Sequence, residues 1–284
     1  MLQITPMPVV NAETPARGEL TSPTGVRTFP RLRDFGNYLL QVGSVSYFFV
    51  GGLGISIFAP LLCLALGRSR ATQVGRRAIS SLFRGYVAWL QWVGLFRIRF
   101  EGCDLLKDLS GVIVTPNHPS LLDAVYLMSL VPRPICIMRA GLKNNPCLSG
   151  AAGLAGFITN DRGASLIRQC QTKLAAGDNL LIFPEGTRTV AGARGVNTFK
   201  SGFALTAVLT GAPIQTVLIE RNGSYLSKGV GLFSVAQIPI DIVIRPGEVF
   251  HALPGESARD LAARMEAYFR TRLVSTGDSV RLRN

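Results

Sequence analysis

A histidine and an aspartate five positions apart, His118 and Asp123, are the side chains of this sequence best suited to catalysis. An apolar run at positions 111–116 predicts a buried strand before them, and positions 121–131 predict a helix after them. The spacing places His118 at the corner between strand and helix, and Asp123 about one turn into the helix, where its carboxylate reaches back toward the imidazole. These are the base and orienting acid of a hydrolase triad without its serine, so the nucleophile would be a hydroxyl group of the substrate.

The same two residues also have an ordinary structural interpretation. A histidine near a helix start often serves in capping or packing, and this spacing also arises by chance, so the stretch alone leaves chemistry and structure equally open. The other histidine, His251, has Glu256 at the same spacing, but Pro254 and Gly255 lie between them and oppose a continuous helical turn. His118 is therefore the better candidate for a histidine base.

A second polar stretch follows the apolar run at positions 180–182, where a strand is predicted to end. Ligands bind at strand ends in open α/β sheets. Gly186 lets a ligand approach the backbone, Thr187 offers a hydroxyl, and the forked guanidinium of Arg188 suits phosphate. Glu185 would either orient Arg188 or bind a substrate hydroxyl. The alternative is a polar turn with an internal Glu–Arg pair.

Two further cations stand near predicted strand ends or helix starts. Arg162 follows the predicted strand at positions 156–159, and Lys200 precedes a predicted helix at positions 202–210. Both are candidate phosphate ligands, although either alone is also compatible with a solvated charge.

The elements that must position these residues alternate along the second part of the chain. Strands are predicted at 97–100, 112–115, 134–138, 156–159, 179–183, 214–219 and 238–244. Helices are predicted at 121–131, 164–176, 202–210 and 258–273, the last with Ser257 as N-cap and Asp260 three residues later. This alternation predicts an α/β domain at residues 97–284, with a mainly parallel or mixed central sheet flanked by helices.

The first part of the chain has a different composition. Residues 1–30 hold five prolines and predict a flexible tail, without the basic start of a signal peptide. No charged residue occurs at positions 42–66, a length sufficient to span a bilayer, and arginines flank both ends. Because glycines and Pro60 interrupt this run, we favour a re-entrant or monotopic hairpin over a spanning helix or a buried core helix. Positions 76–96 predict an amphipathic helix for the lipid interface or the sheet, so residues 31–96 form a membrane-associated helical segment.

Composition restricts the partners. The 284 residues carry 30 Lys and Arg against 17 Asp and Glu, a net charge of +13, and only 17% of them are charged. Nucleic acid and anionic membrane are the common partners of such a chain. The arginines flank apolar runs and are not interleaved with polar and aromatic residues, which favours the membrane surface and leaves nucleic acid a minority alternative. Five scattered cysteines with no CxxC pair indicate neither a disulfide framework nor a zinc site, so a reducing compartment fits and no metal is implied.

Taken together, these stretches resemble the glycerolipid (lysophosphatidate-type) acyltransferase family over about residues 80 to 250. The first and third blocks of that family correspond to Asn117-His118-x4-Asp123 and Phe183-Pro184-Glu185-Gly186-Thr187-Arg188. The second block and the segment after the third correspond to Phe157-Ile158-x-Asn160-Asp161-Arg162 and Phe199-Lys200-x-Gly202. The fourth block matches only in part at positions 212–217, because the family often has a second proline where this chain has Thr216, a difference that bears on acceptor or acyl specificity.

The resemblance implies acyl transfer from acyl-CoA or acyl carrier protein to the hydroxyl of a lysophospholipid, with no cofactor beyond that thioester. The expected acceptor is 1-acylglycerol-3-phosphate and the expected place is the cytoplasmic face of the membrane, with membrane lipids as partners and an N-terminal two-helix membrane motif. It implies His118 and Asp123 as catalytic residues, and it implies an acceptor site formed by Asn117, Arg162, Glu185, Gly186, Thr187, Arg188 and Lys200. Another lysolipid acceptor, such as a lyso-aminolipid or a specialised lipid, and an inactive membrane-docked lipid-binding protein are the alternatives.

Overall fold

The computed structural model describes residues 32–160, 164–190, 195–223, 225–231 and 236–281. The predicted tail at residues 1–30 and the candidate phosphate ligand Arg162 lie outside these ranges. The first described elements are two long helices, α1 (Leu32–Leu66) and α2 (Arg68–Trp92), which are joined at Gly67. Gly67 has a φ of 73°, a left-handed conformation that glycine adopts without steric cost. The helices therefore form a hairpin with its turn at Gly67.

The expectation of a re-entrant hairpin within positions 42–66 is wrong, because these residues form part of one continuous helix. Neither the glycines nor Pro60 ends α1. Gly52 has a packing role instead: a Cβ atom there would lie 2.3 Å from the Cys147 carbonyl oxygen. The glycine lets α1 approach a second apolar helix, α4 (Pro146–Ala155), so it marks a close contact and not a break.

A seven-stranded mixed sheet forms the centre of the domain, as the alternation of elements predicts. Its strands are β1 (Phe96–Phe100), β2 (Ile113–Pro116), β3 (Pro134–Met138), β4 (Ile158–Thr159), β5 (Asn179–Leu181), β6 (Ile214–Arg221) and β7 (Ile240–Phe250). Their spatial order is β1-β7-β6-β2-β5-β3-β4. All pairs are parallel except β6 with β7. The strands β2, β5 and β6 therefore end at one edge of the sheet, and β2 and β5 lead directly into the two candidate motifs.

Helices cover both faces of this sheet. They are α3 (Asp123–Leu130), α4, α5 (Ala164–Ala175), α6 (Gly202–Thr210) and α7 (Ala258–Arg281), together with 3-10 helices at Cys103–Asp108 and Ala140–Asn144. The predicted cap of α7 is present, since the Asp260 amide donates to Ser257 Oγ at 3.2 Å. Strand β6 shows how the faces divide: Val217 and Ile219 join the core beneath α2 and α3, whereas Ile214 and Leu218 join the core beneath α6 and α7.

One face of α1 lies on the domain and the other is exposed and apolar. Val45 and Ala59 are buried, and Gly150 of α4 approaches so closely that an added Cβ would lie 2.4 Å from the Ser56 Cα atom. On the other side Phe58 and Leu64 are 66% and 85% exposed. Residues 35–66 are long and apolar enough to cross a membrane, with a mean hydropathy of 2.2 over the most apolar window.

Candidate active site

The His118–Asp123 pair lies where β2 ends. The His118 Nδ1 atom is 2.9 Å from Asp123 Oδ2, and the same carboxylate oxygen accepts a hydrogen bond of 2.7 Å from the Ser120 amide. Asp123 is the first residue of α3 and not one turn inside it, because residues 120–122 form a turn before the helix begins. The predicted contact is nevertheless made, since the turn folds the carboxylate back beneath the imidazole. An ionised Asp123 accepts from Nδ1–H, which leaves the Nε2 lone pair of His118 as the base.

The second motif holds His118 from three sides. The His118 amide donates to Glu185 Oε1 at 2.9 Å, and its carbonyl accepts from the Thr189 amide at 2.7 Å. The imidazole stacks on the Phe183 ring with the centroids 3.9 Å apart. These contacts bring the two motifs together and leave the His118 side chain 17% exposed. The base is therefore fixed in orientation and still open to a substrate.

Burial controls the charge of Asp123. Its side chain is 0% exposed, and desolvation raises its pKa above the usual range. The hydrogen bond and charge of His118, the Ser120 amide and the charge of Arg221 oppose this rise, in that order. Its second oxygen, Oδ1, is buried without a hydrogen-bond partner. The acid is therefore held by a few strong contacts in an otherwise desolvated position.

Glu185 is a support for the site and not part of its surface. It is 2% exposed, and its carboxylate accepts hydrogen bonds from the amides of His118 and Asn197 and from the Thr189 hydroxyl. Burial raises its pKa, and these donors oppose the rise. The alternative of an internal pair between Glu185 and Arg188 is not formed, since Arg188 Nη1 donates instead to the carbonyls of Leu226 and Ser227. The structure places the side chain beneath the loop that carries His118, and its contact with a substrate hydroxyl stays a prediction.

Asn117 is likewise occupied within the protein. Its side-chain amide donates to the Ile219 carbonyl at 2.8 Å, and its Oδ1 accepts from the Ile219 amide at 2.7 Å. It is 2% exposed. Asn117 therefore extends the pairing of β2 with β6 by one residue and fixes where His118 begins to leave the sheet, and its contact with substrate stays a prediction.

The cations of the second motif surround its turn. Arg188 Nη1 donates to the carbonyls of Leu226 and Ser227 at 2.8 and 3.1 Å. The end of the Lys200 side chain runs beside Gly186, at 3.1 to 3.2 Å from the position a Cβ would take. Gly186 has a φ of 63° and Thr187 is partly exposed beside it. Arg188 thus lies on a turn that also contacts His118, and the Lys200 side chain lies beside that turn.

Arg139 joins this group and was not predicted. Its Nε and Nη2 atoms donate to the Gly186 carbonyl at 3.2 and 2.7 Å, and its residue follows the last residue of β3, Met138. The signal was present in the sequence, since a cation directly after a predicted strand belongs to the same sheet edge as the two motifs. The sequence predicts Arg162 as the cation at the corresponding place after β4, and that residue lies outside the described ranges.

Three of the five thiols are poor candidates for a covalent nucleophile. Burial raises the pKa of Cys136 to about 12 and the pKa of Cys103 and Cys170 to about 11. A thiol acts as a nucleophile in its ionised form, so these three remain unreactive at neutral pH. Ser120, between the two catalytic candidates, is 1% exposed and accepts a hydrogen bond from the Leu122 amide. The arrangement favours a base that activates a substrate hydroxyl.

Known proteins share this sequence pattern and fold. Residues 97–220 match the family model described as Acyltransferase. The 1-acyl-sn-glycerol-3-phosphate acyltransferase of Helicobacter pylori is 32% identical over 153 residues, which cover 52% of this chain and 60% of that protein. The human protein named 1-acyl-sn-glycerol-3-phosphate acyltransferase alpha is 24% identical over 212 residues, covering 70% and 72%.

The fold also matches a solved structure. The crystal structure of the 1-acyl-sn-glycerophosphate (LPA) acyltransferase PlsC from Thermotoga maritima superposes with a TM-score of 0.63 at 22% identity, covering 88% of this chain and 96% of that chain. Of the curated relatives, the chain spans 60% of the Helicobacter pylori protein and 39% of chloroplastic LPAT1 of Arabidopsis thaliana. The shared region contains both motifs that meet at His118.

Proposed function

We propose that the chain is a member of the glycerolipid acyltransferase family, which its match to the Acyltransferase family model and its similarity to curated relatives support, and that it transfers an acyl group from a thioester to the free hydroxyl of a lysophospholipid. The observation that carries the proposal is the 2.9 Å contact between His118 Nδ1 and Asp123 Oδ2. It presents a histidine base beside a turn that bears cations, without a protein nucleophile in place. The expected acceptor is 1-acylglycerol-3-phosphate, the substrate named in the relatives, and the product is phosphatidic acid.

The proposed reaction needs no acyl-enzyme. His118 Nε2 takes the proton of the acceptor hydroxyl as its oxygen attacks the thioester carbonyl carbon. Asp123 stabilises the imidazolium that forms. When the tetrahedral intermediate collapses, the carbon–sulfur bond breaks and the imidazolium returns the proton to the leaving thiolate. The amides of His118, Ser120, Leu121 and Leu122 do not stabilise the oxyanion, since each already donates within the protein.

The acceptor phosphate is proposed to bind at the turn after β5. Arg188 and Lys200 supply positive charge there, and Gly186 lets a ligand approach the backbone. Because Arg188 Nη1 is anchored on two carbonyls, the guanidinium is held in place before the ligand arrives, which reduces the entropy lost on binding. Arg162 stays a proposed ligand from the sequence. Glu185 and Asn117 support the site from within the protein, through their hydrogen bonds to the backbone of His118 and Ile219.

The site is proposed to work at a membrane surface. Contacts with α4 and the domain hold α1 along much of its length, so a seat on one leaflet with its exposed apolar face in the lipid agrees better with the packing than a free spanning helix. The cytoplasmic face is the proposed side, since acyl-CoA and acyl carrier protein are both found there.

The deciding experiment identifies the product by mass. Purified full-length protein in detergent is given labelled acyl-CoA or acyl carrier protein thioester together with a panel of lysolipids, and release of free thiol is followed in parallel. We expect phosphatidic acid from 1-acylglycerol-3-phosphate. A product from a lyso-aminolipid alone would move the assignment to another acceptor. Binding of lysolipid without any product would support a docked lipid-binding protein.

Thr216 gives little reason to prefer another acceptor. Its side chain is 0% exposed and its hydroxyl donates to the Glu248 carbonyl at 2.7 Å. It lies at the irregularity in the β6–β7 ladder between Gln215 and Val217, where this hydroxyl satisfies a carbonyl of the neighbouring strand. The difference from the common family proline is therefore explained by the local sheet structure, and 1-acylglycerol-3-phosphate stays the first candidate.

A further inference from the structure

Three buried polar atoms close to the catalytic pair have no hydrogen-bond partner: Asp123 Oδ1, Tyr126 Oη and Arg221 Nε. Two are oxygens that can accept and the third is a donor. The charge of Arg221 acts on both Asp123 and Tyr126, so the three groups share one electrostatic environment. Buried polar atoms without a partner are uncommon in folded proteins and call for an explanation. Three of them in one environment beside a catalytic acid indicate a functional arrangement.

Strand β6 places Arg221 against the catalytic loop. Arg221 is the last residue of β6, two residues after Ile219, which Asn117 clamps to the end of β2. Its Nη1 atom is 3.4 Å from the Pro119 carbonyl oxygen, and its Nη2 donates to the Gly223 carbonyl at 3.0 Å. Pro119 adjoins Ser120, whose amide holds Asp123. The guanidinium therefore lies beside the segment that connects the base with its acid.

The charges that face the pair come from several elements. Glu185 supports His118 from the turn after β5, and Tyr126 shares α3 with Asp123. Tyr86 of α2 and Tyr225 from the loop after β6 act on Tyr126. Burial raises the pKa of Tyr126 and of Tyr225, so both stay neutral, and Glu185 brings negative charge if it is ionised. Arg221 is the group that supplies positive charge to Asp123 when His118 is neutral.

The positive charge of Arg221 matters because His118 must be neutral before it can act as a base. A base accepts a proton only when its imidazole is neutral, and Asp123 then has no cationic partner in His118. A buried carboxylate without a compensating cation takes up a proton. A protonated Asp123 would donate to His118 Nδ1 and move the ring proton to Nε2, which removes the lone pair that catalysis needs.

We propose that Arg221 is a positioning residue that keeps Asp123 ionised while His118 is neutral, and thereby holds the imidazole in its basic tautomer. The inference rests on the proposed function for its role in catalysis. The effect of Arg221 on the charge of Asp123 can be measured without any activity. It assigns a role to a residue outside the sequence motifs, at the end of a strand that does not itself carry the catalytic loop.

The first test follows proton uptake by the pair and needs no substrate. Full-length protein labelled with ¹⁵N-histidine is titrated by NMR in detergent; the chain has two histidines, so the variant His251→Ala assigns His118. We expect Arg221→Gln to raise the pH at which the pair takes up its proton, by about one unit for a charge at several ångströms. Arg221→Lys keeps the charge and should restore most of the wild-type midpoint. An unchanged midpoint in folded Arg221→Gln would overturn the proposal.

A matched control separates local from general charge effects. Arg97 lies on the edge strand β1 with its side chain 65% exposed and pairs with Asp241. Arg97→Gln removes the same formal charge, and we expect it to leave the midpoint of the pair where it is. An equal displacement in this variant would show that net charge, and not the position of Arg221, controls the pair.

The second test measures the same pH shift in the kcat of the proposed reaction. The acid limb of the kcat profile should move to higher pH in Arg221→Gln, so that kcat on that limb falls about tenfold for one unit. Turnover should recover at higher pH, with the KM for the acceptor unchanged. A loss of kcat that is uniform across pH would indicate a structural role and contradict the proposal. If wild-type protein shows no acyl transfer, the proposed function fails while the NMR result still decides the role of Arg221.

A third measurement covers the case in which Arg221→Gln does not fold. Asp123→Asn removes the charge that Arg221 is proposed to compensate, so Arg221→Gln should cost less stability in that background than in the wild type. We therefore expect the double variant to unfold close to the temperature of Asp123→Asn. If the double variant also fails to fold, Arg221 is needed for reasons unrelated to Asp123, and the proposal falls.

Discussion

At the scale of single residues, Asp123 is favourable for chemistry and unfavourable for folding. Its raised pKa means that ionisation costs more in the folded protein than in the unfolded chain. For a carboxylate shifted in this direction, the contribution to stability is present below the unfolded pKa of about 4 and is lost as the pH rises through the folded value. The site therefore maintains a charge that the fold would be more stable without.

Asp123→Asn tests this conflict. We expect kcat to fall by about 10³–10⁴, since the amide no longer fixes the basic tautomer of His118. Unfolding temperature at neutral pH should stay equal or rise, because the carboxylate charge of Asp123 is no longer buried. His118→Ala is the companion, in which turnover should drop by orders of magnitude while vesicle binding persists. Near-native acyl transfer by His118→Ala would remove the assignment of the base.

Glu185→Gln distinguishes a supporting carboxylate from a substrate ligand. Both carboxylate oxygens accept from donors in the protein, so the amide group of glutamine would place a donor against a donor. We expect a loss of about 1–3 kcal/mol in the free energy of unfolding and a lower kcat, with little change in the KM for the acceptor. Thermal unfolding and steady-state kinetics on the same preparation provide both numbers. A raised acceptor KM at unchanged stability would restore the substrate-binding interpretation.

Arg188→Ala tests the proposed phosphate site. Removal of the guanidinium should raise the KM for 1-acylglycerol-3-phosphate by about tenfold or more, in keeping with the loss of one charge-assisted contact. Arg188 Nη1 also donates to the carbonyls of Leu226 and Ser227. Arg188→Lys is therefore the control, because it keeps the positive charge and removes the forked guanidinium. Activity toward an acceptor without phosphate should fall much less. Unchanged KM and turnover in Arg188→Ala would argue against the role.

At the scale of elements, the sequence predicted the places of the seven strands in the described residues and of five helices (α2, α3, α5, α6 and α7), and it missed features that depend on contacts between distant segments. The sequence predicts strand β7 at positions 238–244. It continues to Phe250, since the ladder irregularity opposite Pro246 accommodates the proline and the Thr216 hydroxyl satisfies the Glu248 carbonyl. Both compensations come from β6, about 30 residues earlier in the chain, and local patterns do not contain them.

Helix α4 was missed for a related reason. Its residues, Pro146–Ala155, are small and apolar without a helical stripe, and two of them are glycines. The helix is explained by its partner, because Gly150 and Gly52 allow the backbones of α4 and α1 to approach. The contact between His118 and Asp123 could be predicted because it is local. The clamp of Asn117 on Ile219 could not, since it joins residues 102 positions apart.

Gly150→Ala measures the contact between α1 and α4. An added Cβ would lie 2.4 Å from the Ser56 Cα atom, so the helices must separate, and we expect a loss of about 1–3 kcal/mol in the free energy of unfolding. Gly153 lies on the same helix with nothing within 4 Å of an added Cβ. Gly153→Ala should be neutral or stabilising by up to about 1 kcal/mol. Equal effects of the two substitutions in chemical or thermal unfolding would show that the close contact carries no energy.

At the scale of the whole molecule, positive charge and an exposed apolar helix act together. The net charge of +13 attracts anionic lipid over about a Debye length, whereas burial of apolar side chains is insensitive to salt. The two contributions can therefore be separated by ionic strength. We expect their sum to give a protein that reaches an anionic surface quickly and is retained there by α1.

Sedimentation with vesicles tests this separation. We expect binding to anionic vesicles to exceed binding to neutral ones at about 0.1 M salt, and the excess to vanish near 1 M while the remainder persists. Leu64→Glu places a charge on the exposed face of α1 and should reduce the remainder. Leu209→Glu, on the exposed side of α6, is the matched control and should not. Complete release of wild-type protein at high salt would exclude seating through α1.

The contacts of α1 also determine how the molecule tolerates shortening. Gln41 exchanges two hydrogen bonds with the Ala236 backbone, Tyr86 and Tyr225 donate to carbonyls of α1, and Val45 belongs to the central core. A chain that begins after Gly67 would lose a wall of its interior together with its exposed apolar helix. We expect such a fragment to aggregate in water instead of yielding a manageable catalytic core. We therefore do not expect removal of α1 to give a soluble form of this protein.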